Sequence, residues 1–189
     1  MPTVLTHPAP LLAVGAGLGF VAIPPRLLLF GVLCSLAPDA DVIGFQFGVR
    51  YADILGHRGL THSLSFAFAL GILGFVLAPW LRTRRWLAFL VGFAAVLSHI
   101  ALDALTTGGL GVAALWPFSE QRFFFPERPI RVSPFNPRAF LEPRGQAVLR
   151  SELFWVWLPC AAMAVGLRIG LLAGRAQTKD LHTHKPTKT

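Results

Sequence analysis

Two apolar runs, residues 61–81 and 86–105, are separated by only the basic link Arg82, Thr83, Arg84 and Arg85. Each run is close to the ~20 residues that a helix needs to cross a bilayer core. Together they predict a helical hairpin through a membrane. A third run, 152–173, carries Trp155 and Trp157 near one end, where aromatic rings favour the headgroup level. Arg168 lies near its other end, where a long cationic side chain can snorkel. The N-terminal stretch 10–36 is apolar too, but Pro24, Pro25 and Arg26 break it into two short helices. The second, 27–37, is short enough for a half-span covered by protein, and Pro38 is expected to stop it.

Composition agrees with a membrane location. The chain is 54% hydrophobic with a mean hydropathy of +0.59, well above the soluble norm. Its net charge of +8 could suggest nucleic acid, but 14 of the 17 cations are Arg, scattered singly between apolar runs. Membrane flanks explain them better, and a nucleic-acid partner is not expected. Cys34 and Cys160 sit alone in different apolar stretches and read as small core residues. No Lys or Arg precedes the first apolar run, so no cleavable signal peptide is expected.

Between 106 and 150 the composition shifts to Gly, Pro, Phe and Arg, and an ordered extramembrane cap of turns and short extended pieces is expected there. The fold class that follows is all-α: a multi-spanning helical membrane protein with short N-terminal helices, a hairpin, this cap and a C-terminal span. One domain covers 1–174. The polar remainder, 175–189, holds all three lysines and is expected to be a disordered tail, with His182 and His184 solvated.

The chemistry concentrates at span ends. His7 precedes the first helix, Asp39 and Asp41 follow the second, His57 and His62 open the third, and His99 and Asp103 lie late in the fourth. With alternating spans, all seven converge on one membrane face. Helix ends are where polar residues belong, which accounts for Asp53 and for one of Asp39 and Asp41. It accounts poorly for His99 and Asp103, because an ionisable group inside an apolar span costs at least ~2.5 kcal/mol unless paired or coordinated. Spaced i, i+4, they share one helix face and form either a private pair or two metal ligands.

Imidazole and carboxylate are the usual ligands of catalytic Zn, Mn or Fe. Seven candidates exceed the needs of one tetrahedral ion, so a cluster of two or more ions is open, as is a role for Asp41 or Asp39 in orienting His57 or His62. Arg58, between those histidines, would repel a metal unless an anionic substrate lay between them, and phosphate binding is weighed there against an ordinary interfacial arginine.

At these residues the sequence resembles the YdjM-like integral membrane proteins, described as predicted metal-dependent hydrolases. The matching pieces are Thr6-His7, the stretch from Leu36 to Asp41, the stretch from His57 to Leu64, the stretch from Ser98 to Asp103, and Leu115 to Ser119 followed by Arg122. They cover residues 6 to about 135 in the family's order, with Ala37 as an extra residue between Leu36 and Pro38. The resemblance implies a membrane-embedded hydrolase with His and Asp ligands. More distantly, His99 and Asp103 are similar to the His-x-x-x-Asp pair of helical zinc-dependent phospholipases C and single-strand nucleases.

The expected activity is hydrolysis of a phosphoester, of a lipid or a membrane-proximal substrate, through metal-activated water. Zn is expected ahead of Mn or Fe, and Arg58 and Arg122 are expected to hold the substrate anion. A divalent-cation transporter and a metal-stabilised scaffold without turnover are the alternatives. Transport sites usually lie near the midplane between repeated bundles, whereas these ligands cluster toward one end and no repeat is visible. Location in the cell's inner membrane is expected. Lys and Arg divide eight against eight between the two sides, and the compact link 82–85 with the lysine tail favours a site facing outward.

Overall fold

The computed structural model describes residues 1–134 and 137–183. Its helices are α1 (Ala9–Leu18), α2 (Pro25–Leu36), α3 (Leu64–Leu81), α4 (Arg85–Ala104), α5 (Pro143–Glu152) and α6 (Leu158–Thr183). No strand forms among the described residues, which hold only the isolated bridges Thr106 to Ile130 and Val112 to Phe123. Four helical stretches are long and apolar enough to cross a membrane: Pro25–Phe47, Leu64–Leu81, Arg85–Ala104 and Pro143–Arg175.

The hairpin forms as the sequence predicts. Ser63 caps α3 by accepting a hydrogen bond from the Phe66 amide at 3.1 Å, and Arg82 ends it in a left-handed turn at φ 57°. The two helices touch backbone to backbone. A Cβ on Gly74 would lie 2.5 Å from the Ala88 carbonyl oxygen, and one on Gly92 would lie 2.7 Å from that of Leu70. Small residues allow this approach in lipid, where dispersion contacts drive helix pairing in the absence of a hydrophobic force. α2 packs on α4 through Leu27, Phe30, Cys34, Val91 and Ala95, and α1 packs on α6.

Three expectations change. Pro38 does not stop the second helix: a 3-10 helix, Ala37–Phe47, continues it to Gly48 at φ 80°, making one span of 23 residues. A proline in the first turn of a new helical segment has no intrahelical N–H to lose, so the chain tightens instead of breaking. Within 106–150, the cap also contains a short 3-10 helix, Pro137–Leu141, followed by α5, started by Pro143, which leads through a π-turn at Leu153–Trp157 into α6. Finally, α6 runs to Thr183, so the first tail residues are helical; propagating an existing helix through Ala, Gln, Lys and Leu costs little. The side chain of His182 and all of His184 lie outside the described residues.

Candidate metal centre

His7, Asp39, Asp41, His57, His62, His99 and Asp103 meet at one end of the bundle, as their order along the spans implies. α4 contributes His99 and Asp103 from its buried face, one turn apart. Asp39 and Asp41 come from the 3-10 helix that continues α2, and His57 and His62 from the loop ahead of α3. His7 stands just before α1, stacked on the His99 ring with centroids 3.6 Å apart.

Each loop imidazole is held by its Nδ1. His57 Nδ1 is 2.8 Å from Asp41 Oδ1, and His62 Nδ1 is 3.3 Å from Asp41 Oδ2 and 3.0 Å from Thr61 Oγ1. The Thr61 hydroxyl donates to Asp41 Oδ2 at 2.7 Å. His99 Nδ1 donates to the Ser35 carbonyl at 2.7 Å. Engaging Nδ1 fixes the tautomer and ring plane and leaves Nε2 as the ligand atom, the usual support for metal-binding histidines. Asp41 thus orients two imidazoles and belongs to neither group of ligand atoms close enough to share an ion.

The Nε2 atoms of His62 and His99 lie 3.0 Å apart. Asp39 Oδ1 is 3.8 Å from His62 Nε2 and 3.5 Å from His99 Nε2, and Asp103 Oδ2 is 3.2 Å from His62 Nε2. The other carboxylate oxygens face His7, whose Nε2 is 3.6 Å from Asp39 Oδ2 and 3.8 Å from Asp103 Oδ1. No oxygen of Asp39 or Asp103, and neither nitrogen of His7, makes a well-formed hydrogen bond, although all are buried. A buried carboxylate without such partners costs several kcal/mol. A divalent cation between these oxygens and nitrogens removes that cost, and the donor set is one that divalent metals take. His62 shows the demand for positive charge: burial lowers its pKa, but contact with Asp103, Asp39 and Asp41 outweighs this and raises it to about 10.

The two arginines expected to hold a substrate anion are placed otherwise. Arg58 is fully buried, with Nε 3.0 Å from Asp103 Oδ2 and donations to Gly108 O, Leu110 O and Thr106 Oγ1 at 3.1, 2.8 and 2.8 Å. Its guanidinium is engaged by protein through one ion pair and three hydrogen bonds, and its backbone is held at φ 68°, a strained value for a non-glycine residue. Gly109 (φ 83°) is required beside it, since a Cβ there would lie 2.7 Å from the Tyr51 hydroxyl and 3.3 Å from Arg58 Nη1. Arg122 donates to the carbonyls of His57, Ala52 and Asp53 at 3.2, 3.2 and 3.1 Å, stapling the cap to the histidine loop.

A further carboxylate is not apparent from motif spacing. Glu152, buried at the end of α5, accepts from the Thr3 amide and hydroxyl at 2.5 and 2.6 Å and from the Thr6 hydroxyl at 2.7 Å. Trp157, one π-turn later, donates to Thr6 Oγ1 at 3.0 Å. This clamp fixes the strand of chain that delivers His7. The signal in the sequence is a lone acid at the edge of an apolar run.

Helices that span a membrane and enclose a His/Asp centre define an integral membrane protein with a candidate metal site. The profile of the YdjM inner membrane protein family matches residues 1–176. Inner membrane protein YbcI of Escherichia coli (strain K12) is 50% identical over 163 residues, covering 84% of this chain and 92% of that protein. The chain belongs to the YdjM inner membrane protein family. No solved structure matches it.

Proposed function

We propose that this protein is a membrane-bound metal-dependent hydrolase acting on a phosphoester. The observation that supports it is the pair of buried carboxylates, Asp39 and Asp103, each presenting one oxygen toward His62 and the other toward His7, with no oxygen satisfied by a hydrogen bond. The candidate ligand atoms fall into two groups that share Asp103, one of Asp39, His57, His62 and Asp103 and one of His7, His99 and Asp103, and each group would hold one divalent ion. Zn is favoured over Mn or Fe by the imidazole content. Such ions supply a water acidic enough to attack at neutral pH and neutralise the developing charge on a phosphoester.

The chain's own residues do the positioning. Asp41 sets the planes of His57 and His62, the Ser35 carbonyl sets that of His99, and Arg58 holds Asp103 against Oδ2. Arg58 and Arg122 act here as positioning residues in place of anion binders. The experiment is hydrolysis of p-nitrophenyl phosphate and bis-p-nitrophenyl phosphate by the detergent-purified protein, before and after metal removal by chelation. Turnover lost on chelation and restored by Zn or Mn supports the proposal. A protein that takes up no metal, or that carries it and cleaves neither ester nor any phospholipid offered, overturns it.

A further inference from the structure

Two cavities flank the centre, and their linings differ in kind. One, of about 490 Å³, has Asp39 in its wall and is otherwise closed by Val4, Leu5, Val42, Phe140 and Leu149, among others. The other, of about 360 Å³, has His57 in its wall together with Tyr51 and Arg144. Met1, Ser133 and Pro134 line both, with the Met1 amino group 3.8 Å from Asp103 Oδ1. Asp39 and His57 belong to the same group of ligand atoms, with His57 Nδ1 4.0 Å from Asp39 Oδ1. Residues of the centre therefore line both an apolar chamber and a more polar one. Both volumes fall near or within the range of sites for small ligands.

From this juxtaposition we infer that the substrate is an amphiphile, a phosphate ester of a long hydrocarbon chain, with the chain in the Leu149 chamber and the phosphate beside Arg144. The inference rests on the hydrolase proposal and adds the class of substrate. Leu5 and Leu149, both exposed apolar residues, line the first chamber and offer a hydrocarbon chain an apolar surface there. Arg144 is exposed and makes no ion pair among the described residues. It can therefore give a phosphate the guanidinium contact that Arg58, tied to Asp103, cannot. Arg144 lines the same cavity as His57, so a phosphate held there shares that cavity with a residue of the His/Asp centre.

The test uses alkylphosphonates, whose P–C bond resists hydrolysis, so that binding is read apart from turnover. Affinities of butylphosphonate and dodecylphosphonate are measured by calorimetry for the full chain in one detergent at one concentration. Partition of the probe into micelles is then common to every variant. Each methylene buried in the chamber raises affinity by about threefold to fourfold. Leu149→Trp, and Leu5→Trp on the opposite wall, each fill the chamber from an exposed position. Either is expected to cut the dodecyl-to-butyl affinity ratio at least tenfold, while Arg144→Ala weakens both probes by a similar factor. An unchanged ratio in both tryptophan variants, or unchanged binding of both probes in Arg144→Ala, overturns the inference. Metal content separates this from failure of the hydrolase proposal: a metal-loaded protein with no chain-length discrimination loses only the amphiphile, and a chain-discriminating protein that takes up no metal loses the hydrolase.

Discussion

At the residue scale, Asp41 and Arg58 carry the centre without belonging to it. Asp41 serves His57 and His62 at once, so Asp41→Asn leaves one imidazole without its acceptor. Loss of such a supporting carboxylate typically costs ten- to a hundredfold in metal affinity, and that is the change expected in a competition titration with a chelating dye. His99→Ala or Asp103→Ala, by contrast, should lower stoichiometry. Arg58 is a stability residue of the same centre. Replacing it by Met leaves Asp103 without its guanidinium and abandons three hydrogen bonds, so a loss of about 3–5 kcal/mol is expected in denaturant or thermal unfolding of the metal-free protein. An unfolding midpoint equal to wild type would contradict this placement.

At the element scale, the N-terminal segment is held by the end of α5, through Glu152 on Thr3 and Thr6, 149 and 146 positions apart in the sequence. Glu152→Gln keeps the size but replaces one acceptor oxygen by a donor, which loosens the delivery of His7. Metal analysis should show selective loss from the group of His7, His99 and Asp103 while the group of Asp39, His57, His62 and Asp103 keeps its ion. Gly92→Val should prise α3 from α4, since the added Cβ meets the Leu70 carbonyl at 2.7 Å, and lower the unfolding temperature with metal content falling only as the protein unfolds. The hairpin was legible because apolar length and a basic link are local properties, and the clustering of the candidate ligands was legible because His99 and Asp103 are costly inside an apolar span. The route past Pro38 was not legible, because whether proline breaks a helix or opens the first turn of a tighter one depends on what packs around it. α5 and Glu152 were hidden for a related reason: a polar ten-residue helix has weak apolar periodicity, and the partner of Glu152 lies at the other end of the sequence. The place of Arg58 between two histidines and of Arg122 in the matching stretch suggests a substrate role, and spacing does not reveal that backbone carbonyls already accept from both.

At the scale of the whole molecule, the segment before α1, the α2 extension, the loop before α3 and the end of α4 each bring candidate ligands to the same end of the bundle. The centre is thus a cross-link between otherwise separate segments. An ion that binds only the folded protein adds RT ln(1 + [L]/Kd), about 4 kcal/mol at a thousandfold excess over Kd, so chelation should lower the unfolding temperature and Zn or Mn should restore it. The most direct measurement is elemental analysis of the detergent-purified protein after reconstitution, alongside His7→Ala and His99→Ala. The account predicts about two equivalents of divalent metal in the wild type and about one in each variant, because His7 and His99 belong to the same group with Asp103. A wild-type protein that binds none, or variants that retain the full complement, would contradict it.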